Sequence, residues 1–202
     1  MNAVKEYFGD IDIYLFDQLL KGRFDHCNTV LDVGCGSGRN LIYFLKNGFD
    51  VYGIDPDPSA ISRVQKLSSD VNPSFPSDHF NIGVAEELPY AEDYFDLIIC
   101  SAVLHFAKDQ DHFEQMLNSM WNVLKPGGYF FARLASSIGI EHLVKETGKG
   151  LWLLPDGSIR YLVNEKALLE YTSRLNGILF EPIKTTNVQN LRCMTTWCLQ
   201  KR

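Results

Sequence analysis

The chain has 202 residues, 46% of them hydrophobic, and a formal net charge of −6 at pH 7. That length suits one α/β domain with a substantial core. An acidic balance without a dense Lys/Arg block argues against nucleic acid as a main partner. No secretory leader is expected, because Lys5, Glu6, Asp10 and Asp12 stand where an apolar segment would be needed. The most apolar run, 95–107, is interrupted by Asp96, Ser101 and His105, and is too short and polar to span a bilayer. The five cysteines (Cys27, Cys35, Cys100, Cys193, Cys198) are an odd number without C-x-x-C spacing. That pattern fits reduced thiols in a cytoplasmic protein better than a disulfide framework or a zinc site, and no metal centre is expected.

In chain order, residues 1–26 form an N-terminal extension in which Ile11, Leu15, Leu19 and Leu20 recur near helical spacing. One helix here would pack on the core, cover a binding mouth, or do both. The run Val30-Leu31-Asp32-Val33 then enters Gly34-Cys35-Gly36-Ser37-Gly38 and continues into Leu41, Ile42, Phe44 and Leu45. This is the layout of a buried strand, a tight loop and a packed helix. Glycine tolerates positive φ and leaves no Cβ between the backbone and a ligand, so main-chain N–H groups can approach a bound molecule closely. Cys35 reads as a small side chain in a crowded turn rather than a nucleophile.

The spacing is informative. A dinucleotide fingerprint places its third glycine at position 39, which is Arg39. Here the pattern is G-x-G-x-G with Asp32 two residues ahead. The stretch resembles motif I of the class I S-adenosylmethionine (SAM)-dependent methyltransferases, and Cys35 to Asn40 looks like the tellurite-resistance branch and related small-molecule enzymes. That resemblance implies a Rossmann-like, doubly wound, seven-stranded sheet, mostly parallel with an antiparallel C-terminal hairpin. It also implies SAM as cofactor, with Asp32 organising the methionine amino end and Gly34, Cys35, Gly36 and Gly38 admitting the methionine and ribose.

A second strand reads from Asp50 to Asp55, stopped by Pro56 and Pro58, with Asp57 or Ser59 capping a helix that carries Ile61, Val64 and Leu67. Asp55, one βαβ unit past the glycines, is placed to accept hydrogen bonds from both ribose hydroxyls, with Pro56 beside it. After a polar Pro/Ser-rich loop, a third strand lies near 80–84. Ala85-Glu86-Glu87-Leu88-Pro89 resembles the family segment beside the adenine, which implies contacts from Ala85 and Glu86. Val84 departs from the pattern, since many relatives carry Asp there.

A fourth strand over 93–101 ends at Ser101 and is followed by His105. Ligands in doubly wound sheets sit beyond the C-terminal strand ends, which places both residues at the mouth. His105 reads either as a general base or as a histidine that hydrogen-bonds the loop after the strand. Residues 109–124 form an amphipathic helix with Phe113, Met116, Leu117, Met120 and Leu124 on one stripe. Lys125-Pro126-Gly127-Gly128 turns the chain into a fifth strand.

Residues 135–163 read as a substrate-side insertion. It has a mixed helical pattern over 139–150 and two short strands around Pro155-Asp156-Gly157. Trp152, Arg160 and Tyr161 would contact an acceptor or staple the hairpin to the core. Asn164 caps a last helix that stops at Asn176-Gly177, and 178–183 pairs with 191–199 in the closing hairpin.

The expectation is therefore a single SAM-dependent methyltransferase domain over 1–202. It would transfer a methyl group in line to a small-molecule acceptor. A non-catalytic SAM-binding protein, a macromolecule methyltransferase and a nucleotide-cofactor oxidoreductase are the alternatives, and Arg39 argues against the last.

Overall fold

The computed structural model describes residues 3–202, so the start of the expected N-terminal extension lies outside the described residues. Two short helices open the chain, α1 (Ala3–Phe8) and α2 (Ile13–Leu20). They precede a main sheet of eight strands. Its parallel part comprises β1 (Thr29–Val33), β2 (Asp50–Asp55), β3 (Phe80–Ile82), β4 (Phe95–Ser101) and β5 (Leu124–Ser136). The spatial order is β3-β2-β1-β4-β5, so the order reverses between β1 and β4. That reversal opens a crevice beyond the C-terminal strand ends.

Crossovers are made by α3 (Ile42–Lys46), α4 (Pro58–Val71) and α5 (Gln110–Val123). Side-chain alternation along each strand divides the core. Leu31, Ile98 and Phe130 pack with Phe113, Met120 and Trp197 on one face; Val30, Leu97, Ile99 and Phe131 pack with Leu15, Phe44 and Val64 on the other. Every one of these side chains is fully buried. Each contributes roughly 1.5–3 kcal/mol of transfer free energy.

Helix starts are fixed by acidic or amide caps. Asp57 accepts the Ser59 N–H at 2.8 Å ahead of Pro58, and Asp109 accepts the His112 N–H at 2.9 Å. Asn164 caps α6 (Glu165–Arg174) by accepting the Ala167 N–H at 2.8 Å. Each cap satisfies a helix N–H that has no intrahelical partner.

The molecule departs from the sequence expectation in four places. The stripe of the N-terminal helix is only partly buried: Leu15 is inside, while Leu20 points to solvent. Pro126-Gly127-Gly128 does not precede the fifth strand but lies within β5, where the pairing with β4 shifts register between Phe95 and Leu97. No helix forms over 139–150. Turns lead instead into β6 (Lys145–Gly148), which joins β7 (Leu151–Leu153) and β8 (Ile159–Tyr161) in a separate three-stranded antiparallel sheet. Gly139, Gly148 and Gly150 all take positive φ there, which a helix does not accommodate.

The fourth departure is at the closing hairpin. The expected strand over 178–183 is split into β9 (Gly177–Leu179) and β10 (Lys184–Val188), and both pair with β11 (Arg192–Lys201), which lies antiparallel against β5. Pro182 has no N–H to continue the ladder. β9 and β10 occupy successive lengths of the β11 edge facing away from β5, so the eight strands fill seven positions. No described helix is long and apolar enough to cross a membrane.

Candidate functional site

Two cavities open at the C-terminal ends of the parallel strands, and they share one wall, Ala102. The first has a volume of about 340 Å³ and lies between the tips of β1, β2 and β4 and the start of α5. Gly34 of the glycine loop lines it. Gly34 has φ +72°, and a Cβ there would lie 2.3 Å from Val103 Cγ2. Gly36 has φ +54°, and nothing stands within 4 Å of where its Cβ would be. The loop is therefore bare toward open space at Gly36. Gly38 serves a different end: a Cβ there would strike Val64 and Leu67 of α4 at 2.7 and 2.8 Å.

Asp55 ties this corner together. Its Oδ2 accepts the Gly36 N–H at 2.9 Å and its Oδ1 accepts the Asp57 N–H at 2.9 Å. Each carboxylate oxygen keeps lone-pair capacity toward the cavity it lines with Pro56. Behind the loop, Asp32 is 1% exposed and its Oδ2 has no hydrogen-bond partner. Burial pushes its carboxyl up to about 8, with Arg39 opposing and Asp55 adding to the rise. A buried, unpartnered carboxylate oxygen behind a bare glycine corner suits a ligand carrying an ammonium group.

The far wall holds Val84, Ala85 and Glu86, with His112 and Met116 one helical turn apart on α5. The His112 Nδ1 accepts the Lys108 N–H at 3.1 Å, which leaves its proton on Nε2. That nitrogen lies 3.1 Å from Glu86 Oε1. The sequence stripe of α5 suggested packing alone for Met116 and did not include His112. A histidine and a methionine four residues apart, on a helix starting just beyond a strand end, were the available signal.

The second cavity, of about 300 Å³, is walled by β5, the insertion and the β10–β11 turn. Arg133, Arg160 and Arg192 line it, with His105, Asp156 and Ser158. His105 is 7% exposed, and its Nδ1 accepts the Ala135 N–H at 3.1 Å. Burial first, then Arg160 and Arg192, push its imidazole down to about 4. The ring is therefore neutral near pH 7, with its proton on Nε2. Of the insertion residues singled out in the sequence, Arg160 lines this cavity. Tyr161 is buried and stacks on Phe113 at 4.9 Å, and Trp152 packs on the small cluster around Ile140 and Leu154.

Ala102 has φ +66°, an uncommon conformation for a residue with a Cβ. Its N–H donates to the Arg133 carbonyl at 2.7 Å. Ser101 turns the other way: its hydroxyl donates to Asp12 Oδ2 at 3.3 Å and accepts from Arg39 at 3.3 Å. Asp12 caps α2, is buried, and pairs with Arg133 at 2.9 Å and Arg39 at 3.7 Å. The N-terminal segment is thus clamped onto the glycine loop and the tip of β5. The Cys35 side chain is buried in the core cluster around Val51 and Phe80, and burial raises its thiol.

Five sequence-selected residues, Gly34, Asp55, Pro56, Ala85 and Glu86, line the first cavity together. Asp32, Cys35, Gly36, Gly38 and Ser101 flank it without appearing in its lining, and His105 lines the second.

A family model described as a methyltransferase domain matches residues 31–132. An uncharacterized methyltransferase of Synechocystis is 35% identical over 101 residues, covering 50% of this chain and 44% of the relative. A tRNA U34 carboxymethyltransferase of Idiomarina loihiensis is 32% identical over 142 residues, 64% of this chain and 41% of the relative. The chain thus spans less than half the length of these two curated relatives. The crystal structure of the Burkholderia thailandensis 1,6-didemethyltoxoflavin-N1-methyltransferase, with 1,6-didemethyltoxoflavin and S-adenosylhomocysteine bound, superposes with a TM-score of 0.66 at 18% identity. That superposition covers 99% of this chain and 85% of that one.

Proposed function

We infer the function from one premise: this chain belongs to the class I SAM-dependent methyltransferase family. We propose that it is a SAM-dependent methyltransferase acting on a small molecule, with SAM in the first cavity and the acceptor in the second. When bound, SAM supplies a methyl group on a positively charged sulfonium, a donor that needs no further activation. The task left to the protein is placement, worth about 7–11 kcal/mol of barrier when reacting atoms are well oriented.

The observation that carries the reading is the pairing of a buried, unpartnered Asp32 oxygen with the open space at Gly36. Asp32 would receive the amino group of the methionine end, and Asp55 the ribose hydroxyls through its remaining lone pairs. Glu86, held against His112, would face the amino edge of the adenine, the position that Val84 leaves without a carboxylate. Ala102, common to both cavities, would stand where donor and acceptor meet.

For His105 we propose donation rather than proton removal. Its Nδ1 lone pair is engaged by Ala135, so the neutral ring offers an N–H to the second cavity. Leu154, Asp156, Ser158 and Arg160 of the insertion line that cavity, which favours a compact acceptor over a polymer. Cysteines Cys27, Cys35, Cys100, Cys193 and Cys198 are all free and buried, which suits a cytoplasmic location.

Titration calorimetry with SAM, followed by an acceptor panel scored by S-adenosylhomocysteine release, tests the reading. Thiols, carboxylates, oxyanions of tellurium or selenium, phenols and amines belong in the panel. Binding followed by release on a small acceptor is expected. Binding without release across all classes would make the chain a non-catalytic SAM-binding protein.

A further inference from the structure

The second cavity carries a charge pattern that the methyltransferase reading does not require. Three guanidinium groups from distant parts of the chain converge on it: Arg133 from β5, Arg160 from β8 and Arg192 from β11. Two of them are partly answered by carboxylates. Arg133 pairs with Asp12 at 2.9 Å, and Arg192 lies 3.9 Å from Asp156.

The third is not. Among the described residues Arg160 has no carboxylate within ion-pairing distance. Its Nη1 donates to the Ile159 carbonyl at 2.7 Å, and its guanidinium lies over the Phe106 ring at 4.9 Å. Phe106 is 59% exposed, so it does not shield the guanidinium from solvent. Arg133 adds a second unanswered donor, because its Nε is buried without a hydrogen-bond partner.

Asp156 is itself occupied. Its Oδ1 accepts both the N–H and the hydroxyl of Ser158, at 2.9 and 2.6 Å. The neutral His105 ring contributes another N–H. The cavity therefore offers donors and positive charge in excess of acceptors. A cationic acceptor would meet repulsion here, and a neutral one would leave guanidinium groups desolvated and unpaired.

We propose that the second cavity binds the methyl acceptor through an anionic group, a carboxylate or a compact oxyanion held by Arg160 and Arg192. The planar guanidinium fork matches both geometries, and each such hydrogen bond is charge-assisted. This inference rests on the methyltransferase reading for the word acceptor; the anion site itself stands on the cavity. A volume of about 300 Å³ limits the occupant to a compact molecule.

The test uses the full chain with its arginine side-chain N–H signals followed by NMR. The probes are orthophosphate, benzoate and the neutral isostere benzamide. Orthophosphate or benzoate is expected to shift the Arg160 and Arg192 signals at millimolar concentration, with benzamide silent. Arg160→Gln should weaken that anion binding about tenfold, and Arg160→Lys should restore part of it. SAM affinity, measured in parallel by calorimetry, should not change in either variant. Equal binding of benzamide, silence of both anions, or anion binding indifferent to Arg160→Gln overturns the inference. A chain that binds the anions but not SAM sinks the methyltransferase reading instead, so the two failures are distinguishable.

Discussion

The two cavities are neighbours built on opposite plans. The first is lined mostly by short consecutive runs at or just past the ends of β1, β2, β3 and β4, with Asp55 and Glu86 among them and Asp32 buried behind the glycine loop. The second is made of long charged side chains from β5, the insertion and β11, brought together only by folding. A backbone-built site leaves a local imprint, because bare turns and strand-end carboxylates must fall at fixed spacings. A side-chain-built site leaves none, because each arginine is unremarkable in its own stretch.

The largest effect that would break this contrast is at Asp55. Asp55→Ala removes the acceptor of the Gly36 N–H and the proposed ribose contacts. SAM affinity should fall roughly a hundredfold, from two lost charge-assisted hydrogen bonds of about 1.5 kcal/mol each. Stability should fall by about 1–3 kcal/mol, because Asp55 also accepts the Gly36 and Asp57 N–H groups. Calorimetry and denaturant melts read the two separately, and unchanged affinity in a folded variant would remove the role.

Next come the glycines, which should divide by what surrounds them. Gly36 and Gly38 both have positive φ, so either alanine carries backbone strain, but Gly36→Ala otherwise fills open space and SAM binding should suffer more than folding. Gly38→Ala meets Val64 and Leu67, so folding should suffer more, by about 1–3 kcal/mol. A reversed order would contradict the assignment of Gly36 to the ligand and Gly38 to helix packing.

Asp32 gives a pH signature. Its carboxyl is raised to about 8 by burial, so below that pH the ligand-free protein holds it protonated. Binding an ammonium favours the ionised form and releases the proton. SAM affinity should therefore climb with pH between about 6 and 8, by up to tenfold per unit, and level off above. The same shift makes the folded state bind more protons than the unfolded chain. Stability should thus decline from about pH 4 to pH 8, and Asp32→Asn should abolish that share of the decline. A flat affinity profile would contradict the proposed contact.

The smallest effect belongs to His105 in the second cavity. A glutamine can accept the Ala135 N–H and still donate, so His105→Gln should keep turnover within about fivefold. A base role predicts a loss of 10²–10⁴, and steady-state kinetics on any acceptor that turns over separates the two.

Much of the first region was legible in the sequence. Asp32, Gly34, Gly36 and Asp55 were read together because strand, loop and strand must follow in that order for the corner to form, and in the structure the Gly36 N–H donates to Asp55. Strand β2 begins and ends at the residues expected, Asp50 and Asp55. His112, which lines the first cavity, was not singled out, because a polar residue beside an amphipathic stripe looks like surface until the helix is docked.

The second region was mostly illegible. Glycines at 139, 148 and 150 broke an apparent helical pattern into turns and β6. Pro182 split the strand expected over 178–183. Arg160 was noticed, but Arg133 and Arg192 read only as strand residues, since nothing local shows that three strand ends share a cavity.

The most direct test of the account is a crystal structure grown with S-adenosylhomocysteine. It should show the amino end of the ligand at Asp32, its ribose on Asp55 and its adenine beside Glu86, with the second cavity left free. The ligand lodged among Arg133, Arg160 and Arg192, or away from the glycine corner altogether, would contradict it.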